Sequence, residues 1–184
     1  MFILSQLAEN SQVKSPDKNM LDWALEYHNR GWNVIPVYEI AGEKCTCSAG
    51  KECTSSGKHP RIKWTDYQQK RITEDQVRCW WTKWPNANIG LVTGEISGVI
   101  VLDVDMPHGA ETLRANKLHL PPTATVKTGS GGFHYYFNHP GFPCQNFAGR
   151  SGETILPNVD FRGDGGMVVL PPSRNLKGVY EWIL

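Results

Sequence analysis

The chain has 184 residues, enough for one domain, or one domain with a small inserted module, and enough to bury a sizeable core. Apolar residues at 40% and charged residues at 20% exclude a disordered chain. A net charge of +1 gives no case by itself for a polyanionic partner, and no apolar run approaches the ~20 residues that cross a bilayer.

The opening MFILSQLAENSQ has neither the basic flank nor the cleavage site of a signal peptide, so a cytoplasmic protein without a membrane partner is expected. Residues 1–18 read as an irregular N-terminal extension and 19–184 as one domain. Met20, Leu21, Ala24, Leu25 and Tyr27 recur at helical spacing, with Asp17 as a candidate N-cap and Gly31 as the stop. Trp32–Tyr38 reads as a strand, and Pro36 places it at a sheet edge or a bulge. Over residues 41–63 hydrophobic periodicity vanishes and Gly, Ser, Lys and Cys dominate, so that stretch needs a staple to fold. Thr73 opens a second helix, with Gln76 completing a capping box and Pro85 ending it. Its Trp80, Trp81 and Trp84 sit at helical spacing and are read as core. Strands follow at 88–93 and 98–105, a short helix at 109–117, and then strands at 124–128, 133–138, 159–162, 167–170 and 179–183. Helices early and a largely antiparallel sheet later make the fold α+β.

Four groups of residues carry chemistry. Asp103 and Asp105 end the apolar strand GVIVLDVD and, two residues apart, project from one face. Adjacent carboxylates repel unless a cation lies between them, and Mg²⁺ or Mn²⁺ favours such oxygen donors. Capping of the turn before Pro107 is the alternative role. In TGSGGFHYYF, glycines 129, 131 and 132 let backbone approach a ligand, so Ser130, Gly131 and Gly132 could cradle phosphate while His134 donates to it. Asp160, in NVDFRGDGG, could complete a three-carboxylate site, with Arg162 on the same face for a bidentate phosphate contact. A surface ion pair between Asp160 and Arg162 is the alternative. Cys45, Cys47, Cys53 and His59 supply three thiolates and an imidazole, the donor set of a closed tetrahedral Zn²⁺ site. The bases Lys58, Arg61 and Lys63 beside it could touch a nucleic-acid backbone or a triphosphate; eight Lys or Arg lie between Lys51 and Lys83.

The ordered set GWNVIPV, GKHPRIKW, NIGLVTG, VIVLDVD, TGSGGFHYYF and VDFRGDGGMVVLPPS, closing on YEWI, resembles the bifunctional primase-polymerase (prim-pol) domain of the archaeo-eukaryotic primase superfamily, from about Leu21 to Trp182. The resemblance implies a primase-like core built on an RRM-like sheet, with the zinc loop as an insert. It implies template-dependent joining of nucleotides, dNTP or NTP, on single-stranded or primed DNA. It assigns Asp103, Asp105 and Asp160 to two catalytic Mg²⁺ or Mn²⁺ ions, His134 to the incoming nucleotide's phosphates, and Arg162 to its vicinity. Gly132 stands where the superfamily often has serine in its second motif, so Ser130 or backbone amides would substitute. A helicase or a helical C-terminal domain of the same polypeptide is a further implied partner. Two other readings of the residues are a zinc-bearing replication-initiation module that binds DNA without chemistry, and a metal-dependent nuclease.

Overall fold

A computed structural model describes residues 18–148 and 156–184. The first helix, α1 (Met20–Asn29), is capped by Asn19. Its Oδ1 accepts from the Asp22 amide while the Asp22 carboxylate accepts from the Asn19 amide, a reciprocal box that satisfies two otherwise unpaired donors. The cap expected at Asp17 lies outside the described residues, and Asn19 does the work. The second helix, α2 (Glu74–Lys83), carries the predicted box between Thr73 and Gln76. A third, α3, spans His108–Ala115.

Among the described residues ten strands form three sheets, and every pairing is antiparallel. One sheet has the order β1 (Asn33–Val37), β4 (Asn88–Val92), β9 (Met167–Leu170). The larger has the order β10 (Glu181–Trp182), β6 (Thr125–Lys127), β7 (Phe133–Asn138), β5 (Val99–Val104), β8 (Val159–Arg162). A two-residue ladder joins β2 (Ile40–Ala41) and β3 (Lys44–Cys45) inside the insert.

Pro36 sits in edge strand β1, as its ring requires. Its carbonyl accepts from the Arg61 amide at 2.9 Å, so it points away from β4, and the proline's missing N–H falls on that outer side as well. Residues 59–61 of the insert cover this edge, with Tyr38 N donating to the His59 carbonyl and Val37 bridging Pro60.

The core is continuous across both sheets and the helices α1 and α2. Trp32 stacks on Tyr27 at 5.6 Å and on Tyr136 at 6.0 Å, joining α1, the start of β1 and β7. Each such pair adds about 0.5–1.5 kcal/mol beyond its buried area. Trp81 is buried, and Trp80 and Trp84 pack against the core, in line with the spacing argument.

Candidate active site and Cys/His cluster

Register builds the site. Asp103 on β5 lies directly opposite His134 on β7 and Asp160 on β8. Opposed residues share a face, with side chains about 4.5–5.5 Å apart at Cβ. The same row runs on through Val126 to Trp182, so one line of side chains passes from hydrophobic core to charged site. Asp105 follows Asp103 by two residues and returns to that face. Its amide donates to the Asn158 carbonyl at 3.0 Å.

These groups face a cleft of about 380 Å³. Lys58, Thr128, Ser130 and Arg162 line it with them, Met167, Val168 and Val169 form an apolar wall, and Tyr180 closes one side. His134 is 4% exposed, and its Nε2 lies 3.5 Å from Asp103 Oδ1. That is long for a hydrogen bond and leaves room for a second acceptor. Arg162 pairs with Asp160. Lys58 Nζ donates to Ser130 Oγ at 3.4 Å, and Asn175 Nδ2 donates to the same oxygen at 3.1 Å.

Charge within the cleft is unevenly distributed. Burial alone would raise the Asp103 pKa, but the contact with His134, then His134's charge, Arg162 and Lys58, hold it below the usual aspartate value. Asp105 goes the other way: burial and the negative charge of Asp103 raise it, and Asp160 adds to the effect. Asp105 is thus the carboxylate that feels the repulsion of both its neighbours, Asp103 and Asp160. Burial pushes Tyr180 up to about 12, so at neutral pH it stays a neutral phenol that can donate.

The turn after β6 is built differently from the sequence expectation. Gly131 N donates to the Thr128 carbonyl and Gly132 N to Thr128 Oγ1, so both amides are used within the turn and neither points outward as an anion nest. Gly132 is needed because a Cβ there would lie 2.7 Å from the Val104 carbonyl oxygen. Close packing against β5 requires this glycine, and Thr128 and Ser130 are the turn residues that line the cleft.

Cys45, Cys47, Cys53 and His59 converge. One donor atom from each lies within 4.8 Å of the others, and His59 Nε2 is 3.6 Å from Cys45 Sγ and 3.4 Å from Cys53 Sγ. Four donors at this mutual distance suit a tetrahedral ion with bonds of about 2.0–2.3 Å. Cys79 is exposed and Cys144 lies in a loop, and neither joins the cluster.

Of the neighbouring bases, only Lys58 lines the cleft. Arg61 is held by Glu39 through Nε at 3.1 Å and through Nη2, with a further bond to Thr46 and its guanidinium over Tyr38. It clamps the insert to the Tyr38–Glu39 segment that follows β1. Lys63 is exposed and lies outside the cleft lining. Asp164 sits in a turn and ties loops together by accepting from the Glu95 and Cys144 amides. Thr128, Asn175 and Tyr180 were not singled out from sequence; the N-L-K-G turn signal at Asn175 was the one available cue.

An antiparallel α+β chain with an acid-lined cleft and a Cys/His cluster beside it is thereby defined. Residues 24–184 match the family described as bifunctional DNA primase/polymerase, N-terminal (Prim-Pol), and the chain belongs to that family. A role in DNA replication as a primase or polymerase, acting on DNA and nucleotides as a nucleotidyltransferase-type enzyme, follows in that broad sense. No curated protein matches the chain. Among the described residues, no helix is long and apolar enough to cross a membrane.

Proposed function

We propose that this chain catalyses template-dependent nucleotidyl transfer at the cleft, with residues 19–184 as the catalytic domain, a primase-like core on an RRM-like sheet, and residues 41–63 as its zinc-holding insert. The observation that carries the reading is the register row His134–Asp103–Asp160 with Asp105 beside it. Asp103, Asp105 and Asp160 would hold Mg²⁺ or Mn²⁺, which supplies charge neutralisation at the transferred phosphoryl group and acidifies the attacking hydroxyl. His134, set 3.5 Å from Asp103, donates from Nε2 to a phosphate oxygen of the incoming nucleotide. Ser130 and Lys58 meet the same triphosphate, and Arg162, while keeping Asp160 in place, presents its remaining donors. The Met167–Val169 wall keeps one side of the cleft dry, which strengthens these contacts. No protein nucleophile is required. Zn²⁺ at Cys45, Cys47, Cys53 and His59 is structural, since four protein donors leave no open position.

Primer extension tests this. A labelled primer on a longer template is incubated with Mg²⁺ or Mn²⁺ and with dNTPs or NTPs separately. Template-directed lengthening is expected. Shortening of the primer would mean a nuclease, and DNA binding without either change would mean a module without chemistry.

A further inference from the structure

Lys58 reaches the cleft from outside both large sheets, and both of its chain neighbours are fixed. On one side His59 is a donor of the Cys/His cluster. On the other, Gly57 is buried, and its carbonyl accepts from Asn88 Nδ2 at 3.0 Å. Gly57 has φ +77°, and a Cβ there would lie 2.6 Å from the Arg174 carbonyl oxygen, so only glycine lets the insert close on the 174–175 segment. The Lys58 amide donates to the Ser55 carbonyl at 2.9 Å. Its side chain then spans to Ser130, 72 positions along the chain.

Apart from the Gly57 contacts and the hold of residues 59–61 on the edge of β1, the insert buries little. Between Gly42 and His59 only Cys45, Ser56 and Gly57 are buried, and its regular structure is the β2–β3 ladder and a short 3₁₀ turn at Gly50–Glu52. The Tyr38 amide fixes the His59 carbonyl at 3.0 Å, so what an ion adds is to lock the His59 ring to the Cys45, Cys47 and Cys53 thiolates, and with them the turns that lead into Lys58. A lysine on a loose loop must give up backbone and side-chain freedom each time it meets a phosphate, whereas one fixed at its base gives up much less.

We infer that the metal-binding insert is itself a substrate-affinity element: the ion held by Cys45, Cys47, Cys53 and His59 fixes Lys58 over the cleft and thereby sets how tightly a nucleoside triphosphate binds there. The inference rests on the reading of the cleft as a nucleotide site. The four cluster residues are positioning residues, and Lys58 makes the contact.

A double-mutant cycle on nucleotide affinity tests the coupling. Binding of a fluorescent dATP analogue with Mg²⁺ is measured by anisotropy for the wild type, Lys58→Ala, Cys53→Ser and the double variant, with zinc content and thermal melting recorded for each. Lys58→Ala is expected to weaken binding about tenfold, the loss of one charge-assisted contact. Cys53→Ser is expected to lose its zinc and weaken binding by a similar factor, and the double variant to bind no worse than about twofold below either single one. Gly57→Ala keeps all four donors, and is expected to retain zinc yet lose affinity, a result that misfolding of the cluster cannot give. Losses that multiply to about a hundredfold, a zinc-free Cys53→Ser that binds as the wild type does, or a Gly57→Ala with undiminished affinity would each overturn the coupling while leaving the cleft a nucleotide site. A wild type that binds no triphosphate would overturn the nucleotide reading itself.

Discussion

Asn88 is the joint between the insert, the small sheet and the C-terminal segment, and its removal has a cost that can be worked from its contacts. It is 2% exposed. Its Nδ2 donates to the carbonyls of Gly57 at 3.0 Å, Arg174 at 2.7 Å and Tyr38 at 3.3 Å, and its Oδ1 accepts from the Arg174 amide at 3.1 Å. Asn88→Ala leaves at least the Gly57 carbonyl and the Arg174 amide without partners. At about 1–3 kcal/mol for each buried unsatisfied group, and the low end where water can enter, the expected loss is roughly 2–4 kcal/mol. For a chain of this size each kcal/mol shifts Tm by about 2–4 °C, so a fall of roughly 4–16 °C is expected in calorimetry. Asn88→Asp is the sharper variant. It keeps the shape and the acceptor for Arg174 but turns a carboxylate oxygen towards three carbonyls, so it should melt no higher than the alanine variant. An aspartate variant within about 1 °C of the wild type would refute the hydrogen-bond account of this joint.

The other expectations concern charge and metal. Folding lowers the Asp103 pKa, so its contribution to stability is present above the unfolded value of about 3.9 and lost as pH falls through the folded one. Folding raises that of Asp105, so its contribution is present below the unfolded value and lost as pH rises through the folded one. At neutral pH without added Mg²⁺ or Mn²⁺, thermal melts should therefore show Asp105→Asn stabilised and Asp103→Asn destabilised, each by no more than a few degrees because solvent screens the site; shifts of the same sign would contradict the charge pattern. Metal analysis should find about one equivalent of zinc in the wild type and in Cys79→Ser, and next to none in Cys45→Ser; equal zinc in both variants would remove the cluster as the binding site.

Much of the architecture was legible because it rests on local rules. The capping box at Thr73 and Gln76, the edge strand with Pro36, and the two strands that carry Asp103 and Asp160 follow from spacing and alternation. The β2–β3 ladder was not legible, since two-residue strands have no periodicity to detect. Nor was the register that sets His134 and Asp160 on either side of Asp103, because strand order is decided by packing over the whole chain. The glycines of the Ser130 turn misled for a related reason: sequence shows that backbone comes close to something, but not whether that something is a ligand or, as at Gly132, the neighbouring strand. Arg61 carried the same ambiguity. A base next to a Cys/His cluster reads as a phosphate contact until its partner Glu39, 22 residues away, is seen beside it.

The central claim is that the row of acids performs chemistry, and primer extension by Asp103→Asn against the wild type tests it most directly, with both proteins shown by melting to be folded. The carboxamide keeps the shape and removes the charge at the middle of the row. A fall in extension rate of about a thousandfold or more, some 4 kcal/mol of transition-state stabilisation, is predicted. A folded Asp103→Asn that extends primers within about tenfold of the wild type would contradict the account.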